Sequence, residues 1–418
     1  MSHLPPPSAC ALMALLCLAV PAGAADGKQG EPPTSEPSKG IATEALTIEA
    51  INGATFTAPE TSVESEKAGS KTASEGEKTT DARTAKNTKP PKRRKTDKPK
   101  AATDKSDKRP QPLLVKVQVL LDRAHFSPGA IDGLDGENMR GALSAFAVAQ
   151  GLPPTKALNR ELFDKLAASS SEPVVTSYTV TDADVAGPFV EKIPPKMEEQ
   201  ADLEAMSYTN PREMLAERFH MSRDLVSALN PDAALDKSGT VVTVAAVPPL
   251  ETGKPTPPVE AKAKSGRKSG AGDSKDTQKK DIARIEVDKV TRHVRGFGED
   301  GTLRAYYPAS IGSEEKPAPS GEAKVKGVAF SPWYTYNPKY RFKGVSAKTR
   351  FSIHPGPNNP VGIVWIDLSI PSYGIHGTPE PEKVGKTESH GCIRLTNWDA
   401  RDLASRVERG AKVTFKDE

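Results

Sequence analysis

The chain has little cysteine, few aromatics, almost no net charge for its length and no apolar run long enough to span a bilayer. Three cysteines stand in 418 residues, Cys10, Cys17 and Cys392. The first two fall in an apolar N-terminal stretch that reads as an export signal, so the mature chain would carry Cys392 alone. A lone thiol has no resolving partner, which disfavours a redox role. Aromatics make up 5% of the chain, against 38 prolines and 27% charged residues. Segments of that composition cannot bury enough apolar surface to offset chain entropy, so much of the chain is expected to be unpacked. A net charge of +4 carries no nucleic-acid signature. The apolar run at 11–20 falls short of the roughly 20 residues a membrane helix needs, so no integral span is expected in the mature chain.

What is present begins with MSHLPPPSACALMALLCLAVPAGAADGK. The apolar run ends at Ala22-Gly23-Ala24, a small-x-small cleavage signal, and 1–24 reads as a signal peptide. Residues 25–110 are rich in Ser, Thr, Lys, Glu and Pro and sharpen into KPPKRRKTDKPKAATDKSDKRP. They are expected to form a disordered basic linker. A second linker of similar composition covers 250–280.

Between the linkers, Leu114, Val117, Leu120 and Leu121 recur at helical spacing. So do Met139, Leu143, Phe146 and Ala147, and then Leu158, Leu162, Phe163 and Leu166. Residues 111–170 are therefore expected to be a small three-helix bundle. Its turn, SPGAIDGLDG, has acidic spacing too incomplete for a calcium loop. Within 171–249, the stretch from Tyr208 reads as helices at 213–219 and 222–229 and a strand at 241–247. That is an α+β unit, preceded by a segment (177–196) that carries no clear pattern. His125 and His220 are expected to be surface or packing residues.

From 281 to 418 the texture becomes mostly β. In VGIVWIDLSIP, Val364, Ile366, Leu368 and Ile370 share one face of a half-buried strand. A turn at 371–374 ends it and presents Ile375-His376-Gly377. After a loop comes Ser389-His390-Gly391-Cys392-Ile393-Arg394, and then a helix expected to be capped by Asn397 or Asp399. An ordinary thiol is only a few per cent ionised at neutral pH, so a nucleophilic cysteine needs a base or positive charge nearby. His376 at a strand end is placed to serve as that base. His390 and Arg394 flank Cys392 at two residues on either side, where side chains of an extended backbone share a face. Gly391 lets a substrate approach the backbone, whose amides could stabilise an oxyanion. A zinc site built from His376, His390 and Cys392 lacks a fourth ligand. A buried inert cysteine is at odds with two histidines and an arginine beside it.

These motifs resemble known families. The bundle is similar to the three-helix peptidoglycan-binding domain through Val117, Ala130-Ile131-Asp132-Gly133, Ala142, Phe146 and Gly151-Leu152. The α+β unit is similar to a LysM module through Leu215-Ala216, Phe219 and Leu229-Asn230-Pro231. The most specific resemblance is to the catalytic domain of the L,D-transpeptidases of the YkuD type. It rests on His376-Gly377-Thr378, on Ser389-His390-Gly391-Cys392-Ile393-Arg394 and on the PGPNNPVG loop at 355–362. The order, histidine before cysteine, is opposite to that of the NlpC/P60 peptidases.

The resemblance implies a multidomain chain: an L,D-transpeptidase β-sandwich preceded by the helical bundle and the LysM-like module, joined by disordered linkers. It implies that Cys392 attacks a peptidoglycan tetrapeptide stem at its third residue and releases the terminal D-alanine. His376, oriented by the Gly377 carbonyl, would move the protons. His390 and the Gly391 and Cys392 amides would line the oxyanion hole, with Ser389 and Arg394 in the same catalytic set. Tyr373, Trp365 and Asn359 are the candidate substrate contacts. Transfer to a second stem would give a 3→3 cross-link. Other acceptors (a lipoprotein lysine, a free D-amino acid, water) and a non-catalytic wall-binding scaffold remain alternatives. Peptidoglycan is the expected partner, the periplasm the expected location and a monomer the expected state. Neither cofactor nor metal is expected.

Overall fold

A computed structural model describes residues 46–57, 109–253, 280–312, 317–340, 345–387 and 391–417. The expected signal peptide, 25–45 and 58–108 of the first linker and 254–279 of the second lie outside that set.

The first linker is not unstructured throughout, which corrects the reading of 25–110. Ile48–Gly53 forms α1, capped by the Thr47 hydroxyl, which accepts from Ala50 N. Ile51 is fully buried. Asn52 Oδ1 accepts from the amides of Val174 and Val175, while Lys116 Nζ donates to the carbonyls of Asn52 and Ala54. A helix of 6 residues has no stability of its own and too short a pattern to stand out; docking makes it.

Three helices follow: α2 (Pro112–Arg123), α3 (Glu137–Ala149) and α4 (Arg160–Ala168). Pro112 opens α2 where its missing N–H costs nothing, and Asn159 caps α4 by accepting from Leu162 N. The faces named by periodicity are buried together, with Phe126 edge-on to Phe146 at 5.4 Å. Asp132 is spent on its own turn, accepting from Gln118 Nε2 and Leu134 N.

The unassigned segment supplies most of β1 (Val175–Thr179) and α5 (Asp182–Ala186). After α6 (Met197–Gln200) come α7 (Pro211–Arg218), α8 (Arg223–Leu229) and β2 (Val241–Ala245). β1 and β2 pair antiparallel, Val175 opposite Ala245, so the helices sit between two paired strands.

The C-terminal region is sheet-rich. Its strands are β3 (Ile282–Asp288), β4 (His293–Phe297), β5 (Leu303–Pro308), β6 (Ser310–Ile311) and β7 (Gly321–Phe330). Then come β8 (Tyr334–Tyr336), β9 (Phe351–Ile353), β10 (Val364–Leu368), β11 (Gly374–His376) and β12 (Ile393–Arg394). Helix α9 (Asn397–Arg406) runs into β13 (Val407–Lys416). Among the described residues nine strands are hydrogen-bonded in the order β5-β4-β3-β13-β7-β10-β11-β12-β6. The expected sandwich is thus one continuous order: the first half of β7 pairs with β13 and the second half with β10. The cap of α9 is Thr396, whose hydroxyl accepts from Asp399 N, rather than Asn397 or Asp399.

The helical and sheet regions are not independent modules on linkers. The described residues of both regions fall in one compact unit. Met206 N donates to Pro355 O and Asn358 N to Met206 O, while Asn358 Nδ2 donates to Ser207 O and Glu213 Oε1. His220 stacks on Trp398 at 5.2 Å, His125 Nδ1 lies 3.0 Å from Asp402, and Arg223 clasps Glu382 with two nitrogens. Both histidines serve packing and pairing. No described helix is long and apolar enough to cross a membrane.

Candidate active site

The site grows from β10. Its alternation sends Val364, Ile366 and Leu368 into the core and leaves Trp365 on the other face. Ile370 lies beyond the end of the strand. β10 pairs antiparallel with β11 so that Trp365 faces His376, and the two rings stack at 5.5 Å and 17°. His376 is buried, with Nδ1 at 2.7 Å from Gly377 O. A carbonyl only accepts, so Nδ1 carries the proton and Nε2 is the basic nitrogen. Burial first, then the positive charge of Arg394, pulls the His376 pKa down to about 3 against the help of the Gly377 carbonyl. The imidazole is therefore neutral at neutral pH, with Nε2 unprotonated.

β11 continues in parallel register with β12, placing Ile375 opposite Ile393 and His376 opposite Arg394. Cys392 immediately precedes β12 and so lies level with Gly374 at the start of β11, beside the turn that joins β10 to β11, two residues along the strand from His376. It is a half-buried thiol, not half of a disulfide, with Sγ 3.8 Å from Ser372 O. Gly391 has φ +108°, a backbone conformation that a side chain would strain. Arg394 is largely buried, and among the described residues its Nε has no hydrogen-bond partner. Burial lowers its pKa, while the charges of Glu380 and Cys392 raise it.

Two contributors escape the sequence reading. Tyr334, on β8, has its pKa raised by burial and then by the charge of Cys392, so its hydroxyl lies within electrostatic reach of the thiol. Its only signal was an aromatic in a short β segment. The other is Asn397, expected as a cap and found instead as a buried brace on the His376 turn; its Oδ1 accepts from Thr378 N at 3.1 Å.

The remaining sequence candidates divide. Trp365 is at the site, as is Tyr373, half-buried in the turn after β10. Asn359 is corrected: it is fully buried, its Nδ2 donating to His354 O and its Oδ1 accepting from Val361 N, so it staples its own loop and has no face for substrate. Ser389 and His390 lie outside the described residues. Among the described residues no group of three His, Cys, Asp or Glu side chains could hold a metal ion. A cavity lined by Asp122, His220, Trp398 and Asp402 sits between the two regions, away from Cys392.

Residues 282–414 match the L,D-transpeptidase catalytic domain of the YkuD family. YkuD of Bacillus subtilis, which bears the L,D-transpeptidase name, is 50% identical over 59 residues, covering 14% of this chain and 36% of that one. YqjB of the same organism, likewise named, is 32% identical over 124 residues, 28% of this chain and 63% of its own. YbiS of Escherichia coli, named as a probable L,D-transpeptidase, is 33% identical over 116 residues, 27% and 37% of the two chains. This chain therefore spans less than two thirds of the length of each. A crystal structure of L,D-transpeptidase 3 from Mycobacterium tuberculosis aligns with TM-score 0.28 and 18% identity, over 33% of this chain and 62% of that one.

Proposed function

Starting from the L,D-transpeptidase catalytic domain in residues 282–414, we propose that the protein is an exported cysteine acyltransferase acting on peptidoglycan tetrapeptide stems. The observation that carries the reading is the state of His376. Its Nδ1–H is committed to Gly377 O, its Nε2 is left basic, and it lies in register beside the strand that Cys392 opens. That is the arrangement an activated thiol requires.

In the proposed reaction Nε2 of His376 takes the Cys392 proton as Sγ attacks the carbonyl of the third residue of the stem. The tetrahedral oxyanion is received by the amides of Gly391 and Cys392, with His390 beside them. Collapse breaks the peptide bond to the terminal D-alanine, whose amine leaves with the proton held by His376. A thioester remains on Cys392. The side-chain amine of a second stem then attacks, giving up a proton to His376, and a 3→3 cross-link is released with the thiol restored. Arg394 supplies positive charge beside the thiol, and Trp365 keeps the imidazole in plane. The helical regions, which resemble wall-binding modules, are proposed to hold the polymer rigidly against the sheet rather than on a loose tether. The N-terminal signal would deliver the chain to the periplasm.

The test is incubation of the protein with a disaccharide-tetrapeptide and mass analysis of the products. D-alanine release with a dimer joined through two third-position residues is expected. Release with a lysine adduct, D-amino-acid exchange or a tripeptide product would instead assign another acceptor. No release at all would reject the reading.

A further inference from the structure

Asn397 is wholly buried at the start of α9 and uses all four of its hydrogen-bonding positions. Its Oδ1 accepts from the amides of Ile363 and Thr378, each at 3.1 Å. Its Nδ2 donates to Pro357 O at 3.1 Å and to Glu217 Oε1. Thr378 is two residues beyond His376, and Gly377 between them orients the imidazole. A Cβ added at Gly377 would lie 2.0 Å from Asn397 Oδ1. The amide thus fills the space behind the turn that carries the base.

Three of these four partners belong to the sheet region. The fourth, Glu217, comes from α7 of the helical region, 180 residues earlier in the chain. Its carboxyl is buried, and burial pushes its pKa up to about 8 against the pull of the Asn397 hydrogen bond. At neutral pH it is a neutral acid, and its carbonyl oxygen accepts from Asn397. Removing that acceptor strands an N–H in a dry site, which the amide relieves only by shifting. Any shift passes to Thr378 and then to His376.

We propose that Glu217 is a positioning residue of the Cys392–His376 site: by fixing Asn397 it holds the His376 turn, which makes the helical region part of the active-site framework. The kinetic consequence rests on the acyltransferase reading; the structural one does not.

The test uses the full chain in three forms. Glu217→Met keeps the volume and removes the hydrogen bond, and Glu217→Gln keeps both. Asn397→Asp, which drops the two donors while keeping an acceptor toward Thr378, serves if the Met variant does not fold. The first readout is the nitrogen-15 shifts of His376, which report a single Nδ1-protonated tautomer while Gly377 O holds the ring. The second is kcat and KM on a tetrapeptide stem. Glu217→Met is expected to give a mixture of tautomers and to lower kcat by roughly ten- to a hundredfold, with KM within about twofold. Glu217→Gln is expected to restore both. Unchanged His376 shifts in folded Glu217→Met, or in folded Asn397→Asp, would overturn the proposal, as would a Gln variant as defective as Met. If the wild-type chain shows no turnover, the acyltransferase reading falls and the tautomer readout still decides the role of Glu217.

Discussion

The sheet region and the helical region contribute to the same site in opposite ways. In the sheet region the chemistry sits in a span of about twenty residues, His376 to Asn397, whose members are brought together by one strand pair. In the helical region the contribution is made by a single residue, Glu217, reaching across from a helix far away in sequence. A cluster built by local register is written in the sequence as a motif. A support built by docking leaves no local pattern, because only the fold brings its partners together.

Several substitutions would break or sharpen this contrast. The largest effect is expected at the thiol: Cys392→Ala should remove D-alanine release by at least roughly 10³-fold while leaving the melting temperature almost unchanged. His376→Gln should cost about 10²-fold or more in kcat, the range for losing a general base. Its acid limb is also diagnostic. Because the folded pKa is about 3, kcat/KM of the wild type should not fall through the ordinary histidine range near 6.5, provided the site keeps this state. A limb centred there would show a solvated imidazole instead.

On the helical side, Ile51→Ala should lower stability by about 2–4 kcal/mol, read by denaturant unfolding, with kcat nearly unchanged. No change would mean that α1 is not part of the fold. The pH dependence of stability tests the junction between the regions. Between about 4.5 and about 8 the folded chain keeps a proton on Glu217 that the unfolded chain has released, so this group removes stability as pH rises. His376 acts at the other end: unprotonated in the folded chain down to about 3, it removes stability as pH falls below 6.5. From 6.5 to 8 the Glu217 contribution is about 2 kcal/mol and should vanish in Glu217→Gln. The smallest effect is expected at the Arg223–Glu382 pair, part-exposed on both sides, where a double-mutant cycle should give under about 1 kcal/mol.

Much of the fold was legible. The apolar faces of α2, α3 and α4 and the alternation of β10 follow from periods of 3.6 and 2, which a single sequence carries in full. β1 was not legible because its pairing with β2 lies across the whole α+β unit. α1 was missed because one turn of apolar residues within a polar, proline-rich stretch looks like noise until a docking surface is known. At the site, the motif spacing and the family resemblance marked Cys392, His376 and Arg394, and the register sets His376 opposite Arg394 with Cys392 two residues before it; their catalytic roles belong to the proposal. Asn359 misled because an asparagine in a glycine- and proline-rich loop suits a ligand contact and a loop staple equally, and only its burial decides. Asn397 misled for a related reason: asparagine at a helix start suggests a cap, but Thr396 one residue earlier already fills that role.

The central claim, a Cys392 thiol that takes up an acyl group with His376 as its base, is tested most directly by intact-protein mass after brief exposure to a tetrapeptide stem, beside Cys392→Ala. The expected result is an adduct on Cys392 equal to the stem less its D-alanine, absent from the variant and cleared by an acceptor amine. D-alanine release that persists in Cys392→Ala, or no adduct and no release with the thiol reduced, would contradict it.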